Sequence, residues 1–151
     1  SQLKAKGFTV NYEGDYGVIL EGDFAGKSNC KVYVLPTQQS KMVWKVAVRF
    51  PEQSSWYSIK SEYRTFKESY TEKYGKPESY EFFSSPYEEG DGYEMTAIRV
   101  KKCIYVSFFT TEMGPITLEI HNDKCVQVSY EDSINSAIMS KENEASVEED
   151  I

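Results

Sequence analysis

Residues 54–77 read SSWYSIKSEYRTFKESYTEKYGKP, and this stretch decides the fold. Its large apolar side chains recur every three or four positions, the spacing that places them on one face of an α-helix. These side chains are Trp56, Ile59, Tyr63, Phe66, Tyr70 and Tyr74. Serines at the start can cap free backbone N–H groups, whereas Gly75 and Pro77 stop the helix. The stretch therefore predicts one long helix whose aromatic face packs on other elements.

Short strand-like segments lie on both sides of this helix. The clearest is 42–50, where Trp44, Val46 and Val48 alternate with polar or small residues. Such alternation is typical of an antiparallel sheet with one wet face. The predicted strands are 8–12, 17–24, 30–35 and 42–50 before the helix, and 78–83, 93–100, 103–110, 116–121 and 124–130 after it. Segments 93–100 and 103–110 are predicted to form a hairpin.

This order of elements predicts an α+β fold with an antiparallel sheet, or sheets, and the long helix packed on one face. We expect residues 1–140 to form a single α+β domain. Residues 3–7 resemble the last turn of a helix, which raises a tandem helix-plus-four-strand repeat with half-repeats 1–51 and 52–130. A short helix is expected near the end, and residues 141–151 are predicted to be an acidic disordered tail.

The formal net charge is −7, of which residues 141–151 contribute −4 through five acidic groups and one lysine. The remaining body, at −3, has no cluster of Lys and Arg, so we expect no nucleic-acid partner. No apolar run reaches the roughly 18 residues of a membrane span, and we expect no transmembrane segment. The chain starts at Ser1 rather than Met, which indicates either a removed signal peptide or residues trimmed from a longer chain. The first alternative fits the periplasmic or secreted location that we expect.

The single histidine, His121, is the first place to look for chemistry. One histidine without a second histidine or a CxxC motif falls short of a zinc site. Cys125 lies four residues from it across a predicted turn, and Cys103 is the other cysteine that a Cys–His nucleophilic pair would use. No third, orienting group is indicated. We therefore expect no catalytic residue here, and we expect free thiols.

Acidic side chains at Glu88, Glu89, Asp91 and Glu119 raise the alternative of a hydrolase. Paired carboxylates hydrolyse glycosides only when they are held about 5–9 Å apart. A run of acids in a loop is more typical of solvated surface, and this one lacks the alternating ligand pattern of a calcium loop. We expect no metal ion and no cofactor.

Tyrosine is more informative about function than the histidine, the cysteines or the acidic residues. The chain has 12 Tyr, 8 Phe and 2 Trp, and some of these residues lie where the alternation does not force burial. Exposed tyrosines offer a large contact area at low entropy cost, although tyrosine also simply suits strands. The candidate binding surface consists of Tyr57, Tyr80, Tyr87, Tyr93 and Tyr105.

A helix followed by a four-stranded antiparallel meander, twice over, resembles the β-lactamase-inhibitor-protein-like fold. The segment 130–136, YEDSINS, and the terminal EDI at 149–151 are similar to small uncharacterised cell-envelope proteins expected to share that fold. The resemblance implies a protein-binding or envelope role and carries over no site residue.

We therefore expect a non-enzymatic cell-envelope or secreted module that binds a protein partner through a sheet face. One alternative is a small-molecule or glycan binder that uses the tyrosine-rich surface, and a hydrolase is another. The oligomeric state is open.

Overall fold

The computed structural model of the protein describes residues 7–14 and 16–150, with side chains described through residue 145. The strands are β1 (Thr9–Gly14), β2 (Gly17–Phe24), β3 (Lys27–Pro36), β4 (Val43–Arg49), β5 (Glu78–Phe83), β6 (Cys103–Thr110), β7 (Pro115–His121) and β8 (Cys125–Glu131). The helices in this part of the chain are α1 (Trp56–Tyr74), α2 (Glu94–Arg99) and α3 (Ser133–Asp150).

All eight strands belong to one antiparallel sheet, in the order β1-β2-β3-β4-β8-β7-β6-β5. Two meanders, β1–β4 and β5–β8, therefore meet where β4 pairs with β8 at the centre of the sheet. The predicted α+β class, the antiparallel sheet and the long helix packed on strands are confirmed.

We call the sheet face under α1 the inner face and the opposite one the outer face. Directly paired residues run across the inner face of five strands and form the centre of the core. They are Leu20, Val32, Val48, Val128 and Leu118. None of them is more than 4% exposed. The register therefore places one unbroken apolar row across both meanders, which specifies the pairing because a one-residue slip would turn the row outward.

Helix α1 has the bounds that its sequence predicts. The hydroxyl of Ser55 accepts a hydrogen bond from the backbone N–H of Ser58 at 3.2 Å, which caps the first turn. At the other end, the N–H of Gly75 donates to the carbonyl of Thr71 at 2.9 Å, with a φ of 92° at the glycine. That left-handed backbone favours glycine, so the helix ends where the sequence indicates.

The aromatic stripe of α1 packs on β6, β7 and β8. Ile59, Tyr63 and Phe66 are buried, and the ring of Phe66 stacks on Phe50 with centroids 4.4 Å apart. Burying such a side chain stabilises the fold by about 1.5–3 kcal/mol. The stripe is thus the main contact that holds the helix on the sheet.

The predicted strand at 93–100 is wrong, and so is the hairpin it was expected to form with 103–110. Residues Glu94–Arg99 form the short helix α2, and β6 pairs with β5 and β7 instead. Ala97 and Ile98 are adjacent and both buried, which a strand cannot achieve on one face. Lys101, with a φ of 62°, then turns the chain into β6.

The C-terminal helix is longer than expected. The carboxylate of Asp132 accepts from the N–H of Asn135 at 2.9 Å and starts α3, which continues to Asp150 through the segment where a disordered tail was predicted. The Glu142 carboxylate accepts from the backbone N–H groups of Gln39 and Ser40 at 2.9 and 3.0 Å, which fastens this helix to the β3–β4 turn. The predicted helical turn at 3–7 lies outside the described residues except for its last residue.

Candidate functional site

The five tyrosines predicted as a binding surface lie in different parts of the molecule. Tyr57 is 83% exposed on α1, Tyr80 is 46% exposed on the outer face, and Tyr93 is 64% exposed just before α2. Tyr87 packs half-buried against the core, and Tyr105 is buried. The structure does not bring these five side chains onto one surface.

Tyr105 belongs to the core under the start of α1. Its ring meets Trp56 and Tyr63 edge-on, with centroids 5.2 and 5.7 Å apart. Its hydroxyl donates to the Glu89 carboxylate at 3.1 Å, and Glu89 also pairs with Lys60. The hydrogen bond from Lys60 lowers the pKa of Glu89. Tyr105 and Glu89 therefore tie the loop before α2 to α1.

Apolar side chains from β5 and β6 form a cluster on the outer face, which we call the outer-face patch. It consists of Tyr80, Phe82, Ile104, Val106 and Phe108. Tyr80 lies directly opposite Val106, Phe82 lies opposite Ile104, and the rings of Tyr80 and Phe108 meet edge-on at 6.3 Å. Helices α1 and α2 pack on the inner face, so neither covers this patch. Because β5 is the last strand in the sheet order, the patch reaches an edge.

A polar network continues across the outer face beside this patch. The Arg49 guanidinium donates to Gln127 at 2.7 Å, and the Gln127 amide donates to Glu119 at 3.3 Å. Glu119 lies opposite Val106 of the patch. Arg49 also lies over the Tyr33 ring, 4.6 Å from its centroid. These hydrogen bonds position the Arg49 and Glu119 side chains on the outer face.

A second feature lies on the inner side of the molecule, along the flank of α1. It is a cavity of about 740 Å³ between the helix and the turn that joins β2 to β3, and we call it the α1 groove. Aromatic and small hydroxyl side chains form most of its wall, with Lys27 and Glu62 near one end and Lys73 toward the other. The wall residues that matter here are Phe24, Lys27, Glu62, Phe66, Tyr70 and Tyr130.

Glu62 is the one buried carboxylate of this groove, and only 7% of its side chain is exposed. Its Oε2 accepts from the Gln53 amide at 3.1 Å and lies 3.9 Å from the Lys27 ammonium. Its Oε1 is buried and has no hydrogen-bond partner within the described part of the chain. Burial raises the pKa of Glu62, and Lys27 opposes that shift.

Sequence reasoning missed Glu62. The available signal was its spacing, since it lies three residues after Ile59 and four before Phe66. Those positions adjoin the buried face of a helix. A charged residue at such spacing is normally assigned to the solvent side, and it is the β2–β3 turn that buries this one.

His121 lies directly opposite Cys125 across the β7–β8 turn, so the Cys–His pair considered and not expected from the sequence is adjacent in the fold. Burial raises the pKa of the Cys125 thiol to about 12. Nucleophilic attack requires the thiolate, so this thiol is poorly prepared for it at neutral pH. His121 accepts a hydrogen bond from the N–H of Asp123 at 3.1 Å. Cys103 lies on β6, with β7 between it and Cys125.

The acidic loop at 88–91 is used for structure. Asp91 accepts from the backbone N–H groups of Glu88 at 2.9 Å and Tyr93 at 2.7 Å, which shapes the approach to α2. Across the described residues, no three His, Cys, Asp or Glu side chains gather in a way that would hold a metal ion. None of the helices in the described ranges has both the length and the apolar character that a membrane crossing needs.

Within the described residues, the outer-face patch and the α1 groove are candidate sites on opposite sides of the sheet. Each must be judged by its own contacts. Comparison of the chain with protein-family models, with curated proteins and with solved structures finds no match.

Proposed function

We propose that the protein is a non-enzymatic module of the cell envelope, or a secreted one, that binds a protein partner through the outer-face patch. The observation that carries this proposal is the shared exposure of three aromatic rings. Tyr80, Phe82 and Phe108 are 46%, 49% and 41% exposed, and they adjoin Ile104 and Val106 on one face. Single exposed apolar side chains need no explanation, but a contiguous patch is typical of an interaction site.

The surroundings of the patch support a protein partner. Interface centres are rich in aromatic residues and arginine, and polar groups surround them. The patch supplies the aromatic part, and Glu119 borders it in a polar hydrogen-bonded row that continues through Gln127 to Arg49. Since all these side chains stand on hydrogen-bonded strands, the backbone would lose little conformational freedom on binding.

The proposal also includes the finer architecture, a tandem repeat of two helix-plus-four-strand halves. Its support is the sheet order, in which the two meanders mirror each other about the β4–β8 pair. Further support comes from Gly7 and Gly75, which precede the edge strands β1 and β5 and both have a φ of 92°. Joining two halves in one sheet would give a partner a long, stiff platform.

The test is a capture experiment with matched variants. The wild-type chain is immobilised and exposed to the envelope fraction and to the culture supernatant of the source organism. A double substitution, Phe82→Ser with Phe108→Ser, removes the exposed rings. The control is Tyr16→Ser, which removes an aromatic ring that is 77% exposed next to β2, at the opposite end of the sheet order.

We expect a protein that the wild type and the Tyr16 control retain and the double variant loses. Circular dichroism must show that all three chains are folded. Retention of no protein by the wild type, or equal retention by the double variant, would contradict the proposal.

A further inference from the structure

The α1 groove has the dimensions and lining of a small-molecule site. Its volume of about 740 Å³ lies within the range of ligand pockets, about 300–1,000 Å³. Phe24 and Phe66 contribute apolar wall, and Tyr70 and Tyr130 contribute rings whose hydroxyls bond to each other. Such pockets usually combine an apolar lining with a small number of polar groups that fix the orientation of the ligand.

Glu62 is a polar side chain of this groove that lacks a full set of hydrogen-bond partners. An ionised carboxylate has about four acceptor positions, and one oxygen of Glu62 uses none within the described residues. Other carboxylates near α1 are better matched, since Glu81 accepts from Lys67 at 3.0 Å and Glu89 pairs with Lys60. Leaving a buried acceptor unpaired is costly, so the groove holds a binding capacity that the fold itself does not use.

Lys27 does not fill that capacity. Its ammonium lies 3.9 Å from Oε2, outside hydrogen-bond distance, and its side chain is 49% exposed. It is the first residue of β3 and lines the groove. A half-exposed cation without a hydrogen bond to the carboxylate can give way to a better-placed one.

We propose that the α1 groove binds an organic cation whose ammonium group pairs with Glu62 and whose apolar or aromatic body lies against Phe24, Phe66 and Tyr70. The terminal torsion of a glutamate side chain is broad, so the carboxylate can turn an oxygen toward the bound group. The pair formed is charge-assisted and shielded from water, which makes it stronger than a neutral hydrogen bond.

The position of the ammonium follows from where the charged side chains line the groove. Lys27 and Lys73 are the lysines that line it, and Lys73 lies over the Tyr74 ring, 5.3 Å from its centroid. Eleven residues of helix separate Lys73 from Glu62, about 16 Å at 1.5 Å per residue. The ammonium group of the ligand therefore lies at the Glu62 end of the groove, where Lys27 is the lysine that competes with it for the carboxylate.

The experiment uses two probes of one shape, 2-phenylethylamine and 2-phenylethanol, and follows the backbone amide signals of the folded chain by NMR titration. The variants are Glu62→Gln, which keeps the size and removes the charge, and Lys27→Met, which removes the competing cation. The control is Glu68→Gln, which removes an exposed charge of α1 that does not line the groove.

We expect the amine to shift signals around residues 58–66 in a saturable way and the alcohol to bind at least about tenfold more weakly, in line with the strength of a charged hydrogen bond. Glu62→Gln should weaken amine binding by about the same factor, Lys27→Met should strengthen it, and Glu68→Gln should leave it unchanged. Equal binding of amine and alcohol, no saturable shift at millimolar amine, or amine binding unaffected by Glu62→Gln would each overturn the proposal. Because Glu62→Gln removes a buried charge, its fold is expected to survive, and its melting temperature checks this.

Discussion

The hydroxyl of Tyr63 lies 2.6 Å from the Oγ of Ser107 and joins the middle of α1 to the middle of β6. Both residues are fully buried. Ser107 also lies 2.8 Å from the Oγ of Ser79 on β5, so three hydroxyls form one chain inside an apolar core. The Tyr63–Ser107 bond forms only with the helix in this position on the sheet, whereas the Ser79–Ser107 bond joins two neighbouring strands. The chain of hydroxyls thus specifies where α1 docks, whereas the apolar stripe supplies most of the attraction.

Removing the Tyr63 hydroxyl should therefore destabilise the whole fold. We expect Tyr63→Phe to lower the free energy of unfolding by about 1–2 kcal/mol, because Ser107 then loses one of its two partners. Urea unfolding of the wild type and the variant measures this. Tyr57→Phe is the matched control, since Tyr57 is 83% exposed, and it should change nothing. Equal stability of the two variants would show that the buried hydroxyl chain does not matter.

A substitution of Phe66 tests the apolar contribution to the docking of α1 on the sheet. We expect Phe66→Ala to cost about 3–5 kcal/mol, because it removes the ring stacked on Phe50 and leaves a cavity. Differential scanning calorimetry should show a clearly lower melting temperature, while Thr65→Ala, at an exposed neighbouring position, should leave it almost unchanged. An unchanged melting temperature for Phe66→Ala would contradict the packing of α1 on the sheet.

The buried carboxylate of Glu62 should make stability depend on pH. Its pKa in the folded state is raised above the ordinary value of 4.5, so the folded chain holds its proton more tightly than the unfolded chain. The contribution of Glu62 to the free energy of unfolding therefore falls as pH rises from about 4.5 and levels off above its raised pKa.

Glu62→Gln lacks this titration. We expect the stability of the variant relative to the wild type to grow as pH rises from 4 through the raised pKa, as measured by urea unfolding at a series of pH values. Glu119, whose pKa burial also raises, is present in both chains and cancels from the difference. A difference that stays constant with pH would mean that Glu62 ionises as readily in the folded chain as in the unfolded one.

The cysteines test the hydrolase alternative. Burial raises the pKa of both Cys103 and Cys125 to about 12, and burial also raises that of Cys30. We expect a thiol reagent such as DTNB to react slowly with the native chain at pH 8 and to find three thiols after unfolding in urea. One thiol that reacts quickly in the folded chain would restore the case for a Cys–His nucleophile.

Local signals in the sequence were sufficient for α1 and for most strands. The helix has a strong 3.6-residue period, a serine cap and a glycine stop, all of which act within a few residues. The segment 93–100 lacks such signals. It alternates like a strand, and only the burial of Ala97 and Ile98 against the rest of the core makes it helical. Contacts with residues distant in sequence determine the conformation there, and such contacts cannot be read from a single sequence.

The candidate sites show the same contrast between local sequence signals and contacts between distant segments. The outer-face patch depends on β5 and β6 being neighbours, and only one of its rings, Tyr80, was singled out from the sequence. Glu62 depends on the β2–β3 turn folding over the flank of α1. Pairing between distant segments creates both features, so neither could be predicted from the spacing of residues along the chain.

The pairing of β4 with β8 has a consequence for how the chain folds. It joins residues 78 to 86 positions apart, from Arg49 with Gln127 to Lys45 with Glu131. Neighbouring strands within each meander are nearer in sequence, since even β5 and β6, with α2 between them, pair residues only 20 to 30 positions apart. The central pair must bring two more distant segments together, at a larger entropy cost. Each meander can therefore form early in folding. The two meanders stabilise each other only once β4 has paired with β8. A chain halted before that step would carry two exposed strand edges, which is the state in which neighbouring chains would aggregate.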